Sequence, residues 1–354
     1  MRNSKTLRSW SQWLLSGVIA VLGAALFLRL SIPLPFILGP MVLCLIAALI
    51  KLPVAMPAPL RPPMSAIIGV MLGAGFTPAV LSYLSTWIGT VLGLVVFLVL
   101  SALVTVTYYR RIAGYDGGTA YFAGMPGGML EMTLLGEQFG ADVRRIALAH
   151  SARILLVVFA LPFLIRVIIG EDLGRGTPRT SAPLTTESIL WLAGTAVAGI
   201  ILGRWLKLPA RNLLGPMVLS AVIHAAGIST FDPPSVAVVG AQVVIGAAIG
   251  CRFAGLRVVE LVSTLFLAAG ATALQLLVMV LCAFSIAYFV PFEPIDLFLA
   301  YSPGGVTEMG LIAVALGSDV AFVAAHHIIR VVMVSAGAGL FAKKMMQIPQ
   351  GPPI

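Results

Sequence analysis

The chain has 354 residues, of which 60% are hydrophobic and only 10% are charged. Soluble domains usually carry about 25% charged residues, because their surfaces must be hydrated. This composition therefore indicates an integral membrane protein, and it excludes a soluble enzyme, a disordered chain and a disulfide scaffold. The formal net charge of +9 has a simple explanation in basic cytoplasmic loops, which are typical of membrane proteins.

Ten apolar segments have about the length of a membrane-spanning helix, roughly 20 residues. In chain order the predicted helices cover residues 12–30, 33–50, 64–83, 86–109, 143–169, 188–204, 212–228, 235–251, 260–290 and 320–341. The first follows three basic residues but shows no small-residue cleavage site, so we interpret it as a retained helix and not as a signal peptide.

Two further apolar stretches, 113–138 and 292–317, are interrupted by a proline and two glycines. Proline removes a backbone donor and glycine weakens a helix, so each stretch is predicted to be two half-helices around a break. We predict an all-α integral membrane fold with about ten transmembrane helices and two re-entrant broken-helix elements. The alternative left open is that each broken element crosses the membrane and another segment fails to span it.

The two halves of the chain repeat the same motifs at a spacing of 176 or 177 residues. Leu-Gly-Pro-Met at 38–41 recurs at 214–217, and Pro-Gly-Gly at 126–128 recurs at 303–305. The other matched pairs are Gly69 and Gly246, Gly73 and Gly250, Glu131 and Glu308, Gly140 and Gly317, Asp142 and Asp319, His150 and His327, and Arg153 and Arg330. This spacing predicts a duplicated domain and not a solenoid: a first repeat at 12–169, an external linker at 170–187 and a second repeat at 188–342.

Basic residues are distributed unevenly over the predicted loops. With the N-terminus inside, sixteen of the 22 Lys and Arg residues fall on the cytoplasmic side and four on the opposite side. The cytoplasmic set is Arg2, Lys5, Arg8, Lys51, Arg61, Arg110, Arg111, Arg144, Arg145, Arg204, Lys207, Arg211, Arg252, Arg257, Lys343 and Lys344; the opposite set is Arg29, Arg166, Arg175 and Arg179. Because basic loops favour the cytoplasm, we predict a multi-pass protein of the bacterial inner membrane with cytoplasmic N- and C-termini. The second repeat is then inverted relative to the first.

The two breaks are the predicted binding site. A break leaves free amides at the start of the downstream half-helix, and these amides and the helix dipole favour an anion. Glycine there also permits positive φ and close approach of a ligand to the backbone. The predicted substrate-binding residues are Gly127, Gly128, Glu131, Arg153, Gly304, Gly305, Glu308 and Arg330, and the candidates for proton coupling are Glu131, His150, Glu308 and His327.

Structural alternatives exist for each of these features. The Gly-Gly pairs are also suited to tight helix packing. Each Glu is also suited to a buried ion pair with the Arg of its own repeat, and such a pair would hold the broken element against its neighbouring helix. Asp142 and Asp319 are interpreted as helix caps. Cys44, Cys251 and Cys282 show no metal or disulfide spacing and are interpreted as small core residues. We therefore predict no metal and no cofactor.

The paired motifs resemble those of a known family. Leu-Gly-Pro-Met, Gly-Met-Pro-Gly-Gly-x-x-Glu-Met at 124–132 and Ser-Pro-Gly-Gly-x-x-Glu-Met at 302–309 are similar to the motifs of the bacterial AbrB-type membrane family, over about residues 15–342. Its members carry two AbrB duplication domains. The family is named for a proposed role in regulating expression of the aidB gene, and members are often labelled transcriptional regulator or ammonia monooxygenase. The resemblance implies a fold similar to elevator-like secondary transporters and brings no established site residues.

Two functions follow as hypotheses. The first is an inverted-repeat secondary transporter of a small anionic solute, with the lipid bilayer, the solute and a coupling ion, either proton or sodium, as partners. The second is a membrane-embedded regulator of gene expression that acts indirectly, since short basic loops offer no nucleic-acid-binding module. An enzyme is not expected, because the sequence contains no catalytic motif or metal-ligand cluster. A homo-oligomer is compatible with both hypotheses.

Overall fold

The structure, a computed structural model, describes residues 2–170 and 183–346, and it contains α-helices and short 3₁₀ turns but no strand within those residues. The helices are α1 (Arg2–Arg29), α2 (Pro35–Leu49), α3 (Arg61–Ala74), α4 (Pro78–Tyr83), α5 (Trp87–Arg111), α6 (Gly117–Gly124), α7 (Met129–Gln138), α8 (Val143–Ile169), α9 (Thr186–Trp205), α10 (Arg211–Ala225), α11 (Ser235–Gly250), α12 (Val258–Ala287), α13 (Pro294–Tyr301), α14 (Val306–Leu316) and α15 (Val320–Met346). Most of the predicted linker, residues 171–182, lies outside the described residues.

Seven helical stretches in the described ranges are long and apolar enough to cross a membrane, which confirms the all-α membrane fold. All ten predicted segments are helical, but α2 and α10 have only 15 residues and α3 has 14. At about 1.5 Å per residue, these three helices reach roughly 21–23 Å, less than the hydrocarbon core of about 30 Å. The predicted segment 64–83 is divided because α4 starts anew at Pro78, and proline is favoured in the first turn of a helix.

The described residues form two compact units. The first contains residues 2–83, 162–170, 183–258 and 310–321, and the second contains 84–161, 259–309 and 322–346. Each unit draws on both halves of the sequence. The duplicated motifs are therefore shared between the two units and are not separated by them.

In the first unit, helices from the two halves pack in matching pairs. α3 packs on α10, and α2 packs on α11; by the repeat spacing, α2 corresponds to α10 and α3 to α11. A β-carbon added at Gly69 would collide with the carbonyl oxygen of Leu213, and one added at Gly246 would collide with that of Ile37. Glycine is needed at both positions because the two backbones touch there. Such close approach gives membrane helices the packing contacts that hydrophobic burial cannot supply in lipid.

The backbone repeats its unusual conformations as well. Leu34 and Ala210 precede α2 and α10, and both adopt the left-handed region with φ of 51° and 44°. Ser31 and Lys207 each have a φ of 52°. Left-handed backbone is costly for residues with a side chain, yet these four residues adopt it at matching positions. The two repeats therefore share the same local backbone structure before α2 and α10.

In the second unit, side-chain hydrogen bonds connect the ends of the upstream half-helices to the long helices α5 and α12. The carbonyl oxygen of Gly124, at the end of α6, accepts hydrogen bonds from Thr105 Oγ1 (2.8 Å) and Gln275 Nε2 (3.2 Å). The hydroxyl of Tyr301, at the end of α13, donates to the carbonyl of Thr90 (2.6 Å). The Gly124 carbonyl therefore has two side-chain partners, as buried backbone requires, whereas the Tyr301 side chain anchors the end of α13 to α5.

Candidate functional site

Each broken element consists of two short helices joined by four residues, 125–128 or 302–305, which confirms the predicted breaks. Met125 (φ −63°, ψ 132°), Gly128 (φ −67°, ψ 137°) and Ser302 (φ −54°, ψ 134°) are extended. The positive φ that glycine permits is not adopted at any of the four break glycines. Positive φ occurs instead at Gly140 and Gly317, because the chain turns only after each downstream half-helix has ended.

The second glycine of each break makes room for a carboxylate. A β-carbon on Gly128 would collide with Oε2 of Glu131, and one on Gly305 would collide with Oε2 of Glu308. Both acids therefore fold back over the first turn of their half-helices, α7 and α14. The helix dipole stabilises a negative charge at that end.

The first glycine of each break is packed against a methionine of the downstream half-helix. A β-carbon on Gly127 would lie 2.8 Å from Val334 Cγ1 and 3.1 Å from Met132 Cε, and one on Gly304 would lie 2.6 Å from Met309 Cε. These glycines thus have a packing role as well as their predicted binding role.

Both arginines hold the carbonyl oxygens of the breaks. Arg153, on α8, donates to the carbonyls of Met125 (2.8 Å) and Gly127 (3.1 Å). Arg330, on α15, donates to the carbonyls of Ser302 and Gly304. The guanidinium group suits this task, because it presents several donors in a fixed plane. Each arginine lies on the long helix that follows the broken element of its own repeat, and its hydrogen bonds hold the backbone of that break in place.

The two arginines are almost completely buried, with 6% of Arg153 and 3% of Arg330 exposed. The Nε atom of each is buried without a hydrogen-bond partner, and so is the Ser302 hydroxyl at the start of the second break. A buried donor without an acceptor is costly. These three side-chain groups at the breaks have hydrogen-bonding capacity left for a ligand.

The histidines face the upstream half-helices. His150 Nε2 lies 2.8 Å from the carbonyl oxygen of Phe122, and its Nδ1 accepts a hydrogen bond from Arg153 at 3.0 Å. Since Arg donates to Nδ1, the hydrogen of His150 is on Nε2, where it bonds the carbonyl. His327 Nε2 makes the matching contact with Leu299 O at 2.9 Å, but its Nδ1 has no partner. The contact between Arg and His Nδ1 is therefore present in the first repeat and missing in the second.

The acids differ between the repeats. Glu308 is buried, with 8% exposed, whereas Glu131 is half-buried. The charge of Arg330 interacts favourably with Glu308 and unfavourably with Arg153. Glu131 forms no ion pair with Arg153 in the described residues. Arg144 pairs instead with Glu260 (2.6 Å), and Arg145 pairs with Asp142 (3.3 Å).

Asp142 precedes α8 and caps it, because its Oδ1 accepts a hydrogen bond from the amide of Arg145 at 3.0 Å; this confirms the predicted capping role. The described residues contain no group of three or more His, Cys, Asp or Glu side chains that is able to hold a metal ion. Sequence reasoning missed Thr105, Gln275 and Tyr301, which hold the half-helix ends. Gln275 was detectable as an uncharged polar residue in the middle of an apolar segment.

Comparisons with known proteins match the family whose motifs this sequence resembles. The sequence profile of the AbrB family, described as transition state regulatory protein AbrB, matches residues 36–346. The chain is 29% identical to the protein YhjN of Bacillus subtilis (strain 168) over 281 residues, which cover 73% of this chain and 71% of that one. It is 25% identical to the protein named "Putative regulator AbrB" of Escherichia coli (strain K12) over 327 residues, which cover 90% of this chain and 92% of that one.

Proposed function

Because the chain belongs to the AbrB family, a family of membrane-embedded helical proteins, we propose that it is a secondary transporter of a small anionic solute. The solute binds at the two helix breaks. The observation that carries the proposal is the pair of buried guanidinium groups, Arg153 and Arg330, that hold the two breaks and each keep one buried donor without an acceptor.

The charges of the second unit support an anionic substrate. Two buried guanidinium groups stand against one buried carboxylate, Glu308, since Glu131 is half-buried. Buried charge without compensation is unfavourable, and the unfavourable interaction of Arg153 with Arg330 adds to the cost. An anion would relieve this repulsion and would give Arg153 Nε, Arg330 Nε and the Ser302 hydroxyl the acceptor that each lacks. A carboxylate suits a guanidinium group best, because the pair forms two parallel hydrogen bonds.

An inverted repeat and an elevator-like mechanism belong to the same proposal. Transporters built from inverted repeats bind substrate where discontinuous helices from the two repeats contribute their ends. Here the two breaks, their upstream half-helices and α7 belong to one compact unit, whereas the paired helices α2, α3, α10 and α11 and most of α14 belong to the other. A division into one substrate-binding unit and one packing unit is what an elevator-like mechanism requires. The 16-to-4 distribution of basic residues supports inversion of the second repeat, an inner-membrane location and cytoplasmic termini.

Proton coupling would use the groups that differ between the repeats. His327 Nδ1 is buried and has no hydrogen-bond partner, so it offers a place for a proton. His150 would have to give up its contact with Arg153 first. We therefore assign His327 and Glu308, and not His150, as the main candidates for coupling, and sodium is the alternative coupling ion.

A membrane regulator is the second candidate, and the name of the Escherichia coli relative favours it. The described connections between helices are short and provide no nucleic-acid-binding module, so regulation would act indirectly, through solute flux or a partner protein. A catalytic role has less support, because no group of metal ligands occurs in the described residues.

The proposal is tested with the purified full chain. Melting temperatures are measured with short monocarboxylates, dicarboxylates, phosphate, sulfate and ammonium, and each hit is followed by uptake into proteoliposomes under imposed proton or sodium gradients. A ligand at 100 times its Kd stabilises the folded state by about 2.7 kcal/mol. We expect at least one anion to raise the melting temperature and to be taken up. Stabilisation by ammonium alone, or binding without uptake under any gradient, would contradict an anion transporter.

A further inference from the structure

Two buried cysteines from opposite halves of the sequence meet in the first unit. Cys44 lies on α2, and Cys251 lies in the turn that follows α11, 207 residues later. α2 packs on the turn that contains Cys251, and the two cysteines belong to one buried cluster. The helices approach so closely that a β-carbon on Gly250 would lie 2.8 Å from Cys44 Cβ. The packing of α2 on α11 therefore creates a thiol pair that neither half of the chain contains.

Both cysteines are buried, with 0% of Cys44 and 9% of Cys251 exposed, in a cluster that is otherwise made of Ala and Val side chains and is bordered by Ser16. The Cys44 thiol donates to the backbone carbonyl of Ser16 at 3.9 Å, and the Ser16 hydroxyl contacts Cys251. Arg61 is near enough for its positive charge to act on Cys251, and its Nε is buried without a hydrogen-bond partner. The thiolate is the nucleophilic form of cysteine.

We propose that Cys44 and Cys251 are an oxidation site at which a hydroperoxide converts the thiol pair to a disulfide. The Cys251 thiolate attacks one peroxide oxygen, so that an S–O bond forms and the O–O bond breaks. The leaving hydroxide takes up the proton that Cys251 lost and departs as water. Cys44 sulfur then displaces hydroxide from Cys251 sulfur, and that hydroxide leaves as a second water with the Cys44 proton. Two thiols and one hydrogen peroxide thus give one disulfide and two waters.

The arrangement favours a disulfide over a metal ion. The site offers two thiols, and the described residues contain no cluster of three or more His, Cys, Asp or Glu ligands. Structural metal sites typically have four protein ligands. The third cysteine, Cys282, lies in the second unit and serves as an internal control.

The disulfide would tie α2 to the end of α11. This pair of helices joins the two halves of the sequence within the first unit. A covalent link across a loop of about 200 residues restricts the unfolded chain strongly, so oxidised protein should melt at a higher temperature than reduced protein. This inference does not depend on the proposed transport function.

The test uses the wild-type full chain in detergent, with and without hydrogen peroxide. Free thiols are blocked, the protein is denatured and reduced, and newly exposed thiols are counted with a polyethylene-glycol maleimide. We expect peroxide to place two thiols in the reducible form, and mass spectrometry to find the peptide of Cys44 linked to that of Cys251. Cys282→Ser should behave in the same way, whereas Cys251→Ser should form no disulfide.

The proposal is overturned if wild-type protein keeps three free thiols after peroxide treatment, or if the linked peptides involve Cys282. Overoxidation of Cys251 without a disulfide would also overturn it, since it would show that Cys44 cannot reach the sulfenic acid. Protection of both thiols before any oxidant is added, reversed by a chelator, would indicate a metal site instead. Wild-type and Cys282→Ser protein decide the result even where Cys251→Ser fails to fold.

Discussion

The carboxylate of Glu308 occupies the place that a β-carbon on Gly305 would need. The same relationship joins Glu131 to Gly128 in the first repeat. The second glycine of each Pro-Gly-Gly motif is therefore explained by an acid three residues later in the same chain, which folds back over the positive end of its half-helix. The motif positions a charge in addition to breaking a helix.

Replacing Gly305 by alanine should displace Glu308 and destabilise the protein. Displacement of a buried carboxylate from the helix end should cost roughly 1–3 kcal/mol, measured as a lower melting temperature. Gly128→Ala should cost less, because Glu131 is half-buried and is able to move into its surroundings.

Gly337→Ala is the matched control, since a β-carbon at Gly337, within α15, meets nothing within 4 Å. Alanine is favoured over glycine inside a helix by about 1 kcal/mol, so this control should be neutral or stabilising. Equal melting temperatures for Gly305→Ala and Gly337→Ala would show that Glu308 does not need the glycine.

Arg330→Lys should lower both stability and anion affinity. A lysine carries the charge but lacks the planar fork that reaches the carbonyls of Ser302 and Gly304 together. We expect at least about a tenfold rise in Kd for the anion found in the screen, equivalent to about 1.4 kcal/mol. Arg204→Lys, at the exposed end of α9, is the control and should change neither quantity. An unchanged Kd in Arg330→Lys would place the anion elsewhere.

Glu308→Gln should leave the protein folded but abolish proton-coupled uptake. Folding should survive because Arg330 keeps its two carbonyl acceptors and glutamine preserves the shape of the side chain. The measurement is uptake into proteoliposomes with and without a proton gradient, beside the melting temperature. A folded variant that still responds to the gradient as wild type does would remove Glu308 from the coupling mechanism.

The predicted topology is tested by labelling single cysteines in intact cells. A membrane-impermeant maleimide should label Ser181→Cys, in the predicted external linker, from outside the cell. It should reach Arg111→Cys, at the end of α5, only after the cells are opened, because basic loops favour the cytoplasm. Each variant is made in a background without the three native cysteines. Labelling of Ser181→Cys from the cytoplasmic side only would reject the inverted-repeat arrangement.

Several features of the fold were predictable because their cause is local. Composition alone indicates a membrane protein, since too few charged residues are present to cover a soluble surface. Proline and glycine act on the backbone of their own turn, so the breaks at 125–128 and 302–305 followed from the motifs. Helix length was less predictable: α2, α3 and α10 end early, and periodicity and hydropathy do not locate such ends.

The sequence by itself determined the all-α class and the two helix breaks, because they depend on composition or on residues close together in the chain, and it determined the duplication, because the same motifs recur at a constant spacing of 176 or 177 residues. Only the tertiary structure decided the partners of the charged groups. It directs Arg153 and Arg330 to backbone carbonyls and brings Cys44 to Cys251. These contacts join residues 26 or more positions apart, and they depend on how whole helices pack, which spacing along one chain does not specify.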